Sequence, residues 1–421
     1  GGVHYRPLRG RRSNRRRLSA PLFGHELTRG ETILRRETSA ARFALWDLGF
    51  RPFYLLASGF AAVSIALWIL QYAAFLPLAY PRSAAWHGHE MIFGYALAVI
   101  AGFLFTAVRN WTGRPTPTGG SLMALCALWL AGRLLVLTPY AGAAAVVGAA
   151  FPVAAGLAIA VPLAQSANRR NYFFVGLLFL LGAADLVFQL SLAGRLSLPA
   201  RPGLQAGMDV ILFVMAVMGG RVIPMFTNNG VPGADARRHP IVEKLALASI
   251  LALLVADVLP VPEPVLALVA LVCALAHGTR LALWDSRQTL GTPIVWILHA
   301  AYAWIVVHLA LRALAAIGWV PEPLATHALT VGAIGGLTLG MMTRTARGHT
   351  ARPLKADRAE VACYVLVQLA AAVRVLGPLV APRAYVWSVA ASGVLWSAAF
   401  ALYFVRYWPI LTRPRLDGKP G

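Results

Sequence analysis

"AAWHGHEMIFGYALAVIAGFLFTAV", residues 84–108, sets His87, His89 and Glu90 directly before about eighteen residues that carry no charge. A run of that length crosses the hydrocarbon of a bilayer only as a helix, because its backbone N–H and C=O groups must then be satisfied within the segment. The three polar side chains at its mouth sit where unpaired polar groups are costly. They call for a metal, a haem iron, a proton path or a buried hydrogen-bond network.

The rest of the chain reads the same way. Of its 421 residues 58% are hydrophobic and only 13% charged, against about 25% charged in soluble domains. Apolar runs fall at 52–73, 88–108, 121–138, 142–163, 171–192, 205–225, 242–259, 263–283, 292–315, 324–342, 359–379 and 384–405. The breaks between them hold turn formers, as in "TGRPTPTGG", "NNGVPGADARRHP" and "ARPLKADR". This pattern predicts an all-α, polytopic membrane protein with about 12 transmembrane helices.

The formal charge of +22 lies in an N-terminal arm and in short loops, not on a groove-sized soluble surface. That excludes nucleic acid as the partner and points to membrane orientation. With the arm inside, the inside loops receive Arg109, Arg114, Arg169, Arg170, Arg237, Arg238, Arg344, Arg347 and Arg352, while the outside loops receive few basic residues, Arg82, Arg195, Arg201 and Arg383. The asymmetry predicts an even number of spans with both termini cytoplasmic. The arm is too long and too basic for an ordinary signal peptide, so the first run is expected to stay in the membrane. The expected organisation is a basic arm over 1–50, a helical domain over 51–406 and a short cytoplasmic tail over 407–421. Cys126, Cys273 and Cys363 lie inside apolar runs without CxxC spacing and read as small core residues.

His87, His89 and His327 share one membrane depth, at the outer mouths of the second and tenth runs. Neutral imidazole is the commonest nitrogen ligand for copper, zinc and haem iron, so these three are the candidate metal ligands. The HGH pair is a weak signal alone. On a continuous helix its two side chains are about 200° apart, so both face one ion only if a turn precedes the helix. Glu90 reads either as a proton carrier or an orienter of a ligating imidazole, or as a first-turn carboxylate. His299 and His308, nine residues apart, are about 13.5 Å apart in helical rise and cannot hold one ion together. His349 follows the tenth run on the inner side.

Arg221, in "VMGGRVIPMFTNNG" (217–230), suits either a haem propionate or the headgroup layer. Asp185 and Gln189 share a face of the fifth run, and Asp185 needs a partner that Arg133 or Arg374 could supply. Met341 and Met342 fit copper thioethers or plain helix packing. "GAIGG" (332–336) reads as close helix packing. No GxxxxGK[ST] or GxSxG motif is present, and without CxxCH any haem is held non-covalently.

At these residues the chain resembles the NnrS family of bacterial membrane proteins. The matching segments are "LGFRPFYLLASGFAA" (48–62), "WHGHEMIFGYALAVIAGFLFTAVRNWTGRP" (86–115), "GGRVIPMFTNNG" (219–230) and "THALTVGAIGGLTLGMMTRTARGHTARPL" (326–354), with a weaker "HAAYAW" (299–304). The resemblance implies a twelve-helix haem- and copper-containing protein of the bacterial inner (cytoplasmic) membrane, linked to denitrification and to resistance to nitric oxide. Carried over by motif, His87, His89, His299, His327, His349 and Arg221 become cofactor-binding candidates, and Glu90 the catalytic candidate. Asp185 and Gln189 stand where members often have Asn and His, which removes one candidate ligand.

The function this implies is binding and detoxification of nitric oxide under nitrosative stress, possible reduction to nitrous oxide included, with electrons from an unidentified donor. The alternatives are a non-catalytic metal or small-solute transporter and a protein that protects iron centres through a partner.

Overall fold

A computed structural model describes residues 43–73, 75 and 84–419. Nearly all of the basic arm, with His4 and His25, and also Arg82 lie outside the described residues.

Each of the twelve apolar runs lies on a helix. These are α1 (Phe50–Tyr72), α2 (Ala84–Thr112), α3 (Gly119–Leu135), α4 (Ala141–Gln165), α5 (Phe173–Leu192), α6 (Arg201–Gly230), α7 (Pro240–Val258), α8 (Glu263–Ala282), α9 (Pro293–Ala316), α10 (Glu322–His349), α11 (Arg358–Val380) and α12 (Tyr385–Thr412). No strand occurs among the described residues. Ten helices are long and apolar enough to cross a membrane. The other two are α3, which is shorter, and α7, which carries Glu243, Lys244 and Asp257.

Successive helices pack side by side, and α12 returns against α1. The most enclosed is α2, with 89% of its apolar window buried. A helix so enclosed has little surface left for lipid, and its window is apolar all round, as its sequence shows.

Two helices depart from α geometry at one place each. In α2 the stretch Glu90–Ala96 is π-helical, and in α10 so is Ala328–Gly335. A π turn inserts an extra residue and is common at functional sites. Each begins beside a candidate histidine, His89 or His327. The glycines of "GAIGG" lie in the second and just beyond it, where they admit Trp304, Trp396 and Ala301 of neighbouring helices.

Helix ends differ from expectation where side chains replace lost backbone partners. α6 continues past the expected 225 to Gly230, through Pro224 and "NNG". Asn228 makes this possible by folding back on the following loop, donating to the Ala236 carbonyl at 3.0 Å and accepting its N–H at 2.8 Å. α10 runs past 342 to His349. α12 runs past the expected domain limit at 406 to Thr412, where buried Arg51 donates to the carbonyls of Leu411 and Arg413 at 2.9 and 2.7 Å. A basic residue at the start of the helical domain thus finishes its last helix.

At that end Asp357 caps α11. Its Oδ1 accepts the Glu360 N–H at 3.1 Å, and Glu360 Oε2 accepts the Asp357 N–H at 2.8 Å. Arg406 of α12 donates to Asp357 Oδ2 at 2.6 Å. Burial pushes the Asp357 carboxyl up, but Arg406 and the Glu360 N–H outweigh it and hold the group below its ordinary value. The carboxylate's stabilisation is therefore complete above its unfolded value of about 3.9 and is lost as pH falls through the folded value. Asp357→Ala should cost about 1 kcal/mol, read as a lower unfolding temperature at neutral pH, with the gap to wild type closing in acid.

Candidate metal centre

Because α2 is helical from Ala84, His87 and His89 leave it on different sides. His87 turns toward α10. Its ring centroid lies 6.5 Å from that of His327 with the planes 11° apart, and Trp68 of α1 stacks on it at 4.3 Å. The His327 Nδ1–H donates to the Pro323 carbonyl at 2.7 Å. That bond fixes the ring and leaves the Nε2 lone pair for a ligand, as metal-binding histidines usually are held. His87 Nδ1 is buried without a hydrogen-bond partner.

Both rings line a cavity of about 190 Å³ whose other walls include Trp68, Met91, Tyr95, Met208, Ile334 and Trp396. Arg374 also lines it, with its Nη1 buried and unpartnered while Nη2 donates to Tyr385 Oη at 3.3 Å. With a metal–nitrogen bond of about 2 Å and about 1 Å from nitrogen to ring centre, imidazoles on opposite sides of one ion have centroids about 6 Å apart. The observed spacing leaves room for an ion between them once each ring turns a nitrogen, whose lone pair lies in the ring plane, toward it. The volume lies below the roughly 300–1,000 Å³ of pockets for drug-sized ligands. It suits an ion with a diatomic ligand, whereas a porphyrin requires side chains to move aside.

His89 is elsewhere, and does not join His87 and His327 at the cavity. Among the described residues no three His, Cys, Asp or Glu side chains converge as a metal site. His89 Nδ1 lies 2.8 Å from Glu90 Oε1 and its Nε2 lies 2.7 Å from Asp185 Oδ1. Arg133 of α3 donates to Glu90 Oε2 at 2.9 Å, and Gln189 donates to Asp185 Oδ1 at 2.7 Å. All five side chains are buried. Each imidazole nitrogen faces a carboxylate oxygen, so the cluster is satisfied only with a proton on each nitrogen or on a facing carboxyl. It joins α2, α3 and α5 and can store or pass a proton.

The remaining candidates are placed apart. His299 is engaged on both sides, by Thr227 Oγ1 at 2.8 Å and Ser286 Oγ at 2.9 Å. His349 accepts from Asn110 Nδ2 at 3.4 Å and packs on Phe50. Arg221 donates to Asn171 Oδ1 at 2.8 Å with its guanidinium over Phe173. His308 donates to the Ala325 carbonyl at 2.8 Å, from the opposite end of α9 to His299. Cys126, Cys273 and Cys363 are buried and free.

Sequence reasoning passed over Trp68 and Tyr95 as ordinary apolar positions. It also missed the pair of buried Arg280 with half-buried Glu243, which joins α7 to α8 at 2.9 and 2.6 Å. For Asp185 it named Arg133 or Arg374 as partner. The direct partners are His89 and Gln189, and Arg133 is reached only through His89 and Glu90.

The NnrS protein family model matches residues 44–415, nearly the whole described chain. The chain belongs to the NnrS family. No curated protein matches it. Within this NnrS-family fold, the two motifs that set it apart in sequence, WHGHE and THAL, supply the two facing imidazoles.

Proposed function

We propose that this NnrS-family protein holds a redox-active metal ion between His87 and His327 and takes up nitric oxide beside it, reducing it to nitrous oxide. The observation that carries this reading is the near-parallel pair of imidazoles 6.5 Å apart in a largely apolar cavity of about 190 Å³. Of the two cofactors the resemblance implies, copper matches that space. Haem is accommodated there only if the cavity widens. Copper would supply one-electron redox chemistry and an affinity for nitric oxide.

The protein's own part is positioning. Pro323 and Trp68 fix the two rings, the apolar walls keep bulk water out, and the unpartnered Arg374 Nη1 is a donor for a developing negative charge on the bound oxides of nitrogen. Two nitric oxide molecules, two electrons and two protons give one nitrous oxide and one water, and an electron donor is required. Glu90, with His89 and Asp185, is the proton reserve next to the cavity on α2.

The basic-residue asymmetry supports twelve spans with both termini in the cytoplasm of a bacterium, which puts the cavity at the periplasmic end. Purified protein reconstituted with copper and a reductant is expected to consume nitric oxide and release nitrous oxide in a two-to-one ratio. Bound copper without nitric oxide loss would remove the catalytic reading, and failure to bind copper would remove the site.

A further inference from the structure

We propose that a small uncharged molecule reaches the His87/His327 cavity from the hydrocarbon, through a second apolar cavity and across a gate made by Tyr95 and Thr338. The identity of that molecule as nitric oxide rests on the function proposed above; the route does not.

The second cavity, of about 80 Å³, is walled by Val99 and Phe103 of α2, Met215 and Met218 of α6, and Leu337 and Met341 of α10. The same three helices wall the first cavity one to two turns away, with Ile92, Met208 and Ile334. Both cavities are therefore stations along one groove. Tyr95 lines the first and Thr338 the second, and their hydroxyls are hydrogen-bonded at 2.5 Å. Thr338 in turn donates to the Ile334 carbonyl at 2.6 Å. The Tyr95 ring is held edge-on by Trp396 and Phe400, with centroids at 5.6 and 5.1 Å. The proposed gate is thus a single hydrogen bond between a side chain of each cavity.

The second cavity leads outward. Phe103, Met215, Met218, Val222 and Met341 around it are only half-buried, and α2 meets α6 chiefly along its π-helical stretch. Beyond that stretch contacts between the two helices are few, and these half-buried side chains form the proposed entry from the hydrocarbon.

The chemistry of the walls selects what passes. A buried water needs two to four polar partners, and this cavity presents no polar surface. Apolar cavities of about 150 Å³ stay dry and take benzene or xenon. One of about half that volume takes a xenon atom or a diatomic and excludes a ring. Ions and water are rejected by the same walls, so the cavity with the two histidines is fed without being wetted.

Xenon tests the route independently of any metal. In crystals of the full chain pressurised with xenon, atoms are expected in both cavities. Met215→Trp should remove the xenon of the second cavity, leave the one beside His87, and slow nitric oxide consumption by about an order of magnitude at unchanged copper content. Tyr95→Phe keeps the ring but removes the hydrogen bond, and should speed xenon exchange several-fold by xenon NMR. Should Met215→Trp not fold, the wild-type xenon positions and Tyr95→Phe still decide. Xenon beside His87 alone, or a folded Met215→Trp protein with unaltered nitric oxide kinetics, overturns the route. Xenon in both cavities of a protein that consumes no nitric oxide keeps the route and removes the nitric oxide reading.

Discussion

Arg133→Leu is expected to destabilise the protein by about 3–5 kcal/mol. Arg133 and Glu90 have side chains only 5% and 1% exposed and meet at 2.9 Å. Glu90 Oε1 is already committed to His89, whose other nitrogen serves Asp185. Removing the guanidinium leaves two buried carboxylates to share one imidazole, and an uncompensated buried charge costs far more than the pair itself contributes. The double variant Arg133→Met with Glu90→Gln removes both charges and leaves an amide for His89, so it should recover most of the loss. Thermal unfolding in detergent reads both. A single variant that loses less than about 1 kcal/mol, as exposed ion pairs do, would show that the cluster is not charged as described.

His87→Ala and His327→Ala should each weaken copper binding on the order of 10²-fold or more, since even outer-shell changes around a metal cost 10–100-fold. His89→Ala should leave copper affinity within about threefold of wild type while lowering the unfolding temperature, because His89 serves the carboxylate cluster and not the cavity. The contrast separates two histidines that are two residues apart in sequence. Equal loss of copper from all three variants would return His89 to the ligand set. Copper titration of detergent-purified protein, with unfolding followed on the same samples, gives both numbers.

Much of the fold could be read from the sequence, for a reason specific to lipid. A backbone surrounded by hydrocarbon has no outside partner for its polar groups, so a long apolar run has one structural answer, and each of the twelve runs lies on a helix. Helix limits were less legible, because they depend on side chains from elsewhere. Asn228 carries α6 past its asparagines, and Arg51 serves the end of α12 from 360 residues away in sequence.

The site was half legible. Shared depth at the mouths of two helices brought out His87 and His327, and helical geometry already set His89 about 200° from His87. Which of the two faces α10 depends on how α2 is rotated within the bundle, and no local pattern records that. The partner of Asp185 was hidden for the same reason. Two arginines were possible counter-charges, but a histidine on α2 met Asp185 directly once the helices packed.

By itself, then, the sequence determined that this protein is a set of apolar helices with imidazole and carboxylate groups at defined depths, because hydrophobic length and backbone hydrogen bonding are local properties. The tertiary structure alone decided which of those groups meet, since helix rotation, the π turns at Glu90 and Ala328, and the sparse contact of α2 with α6 beyond the first of those turns are set by packing between residues far apart in the chain. The division into a paired-imidazole cavity and a separate charged cluster is a result of that packing.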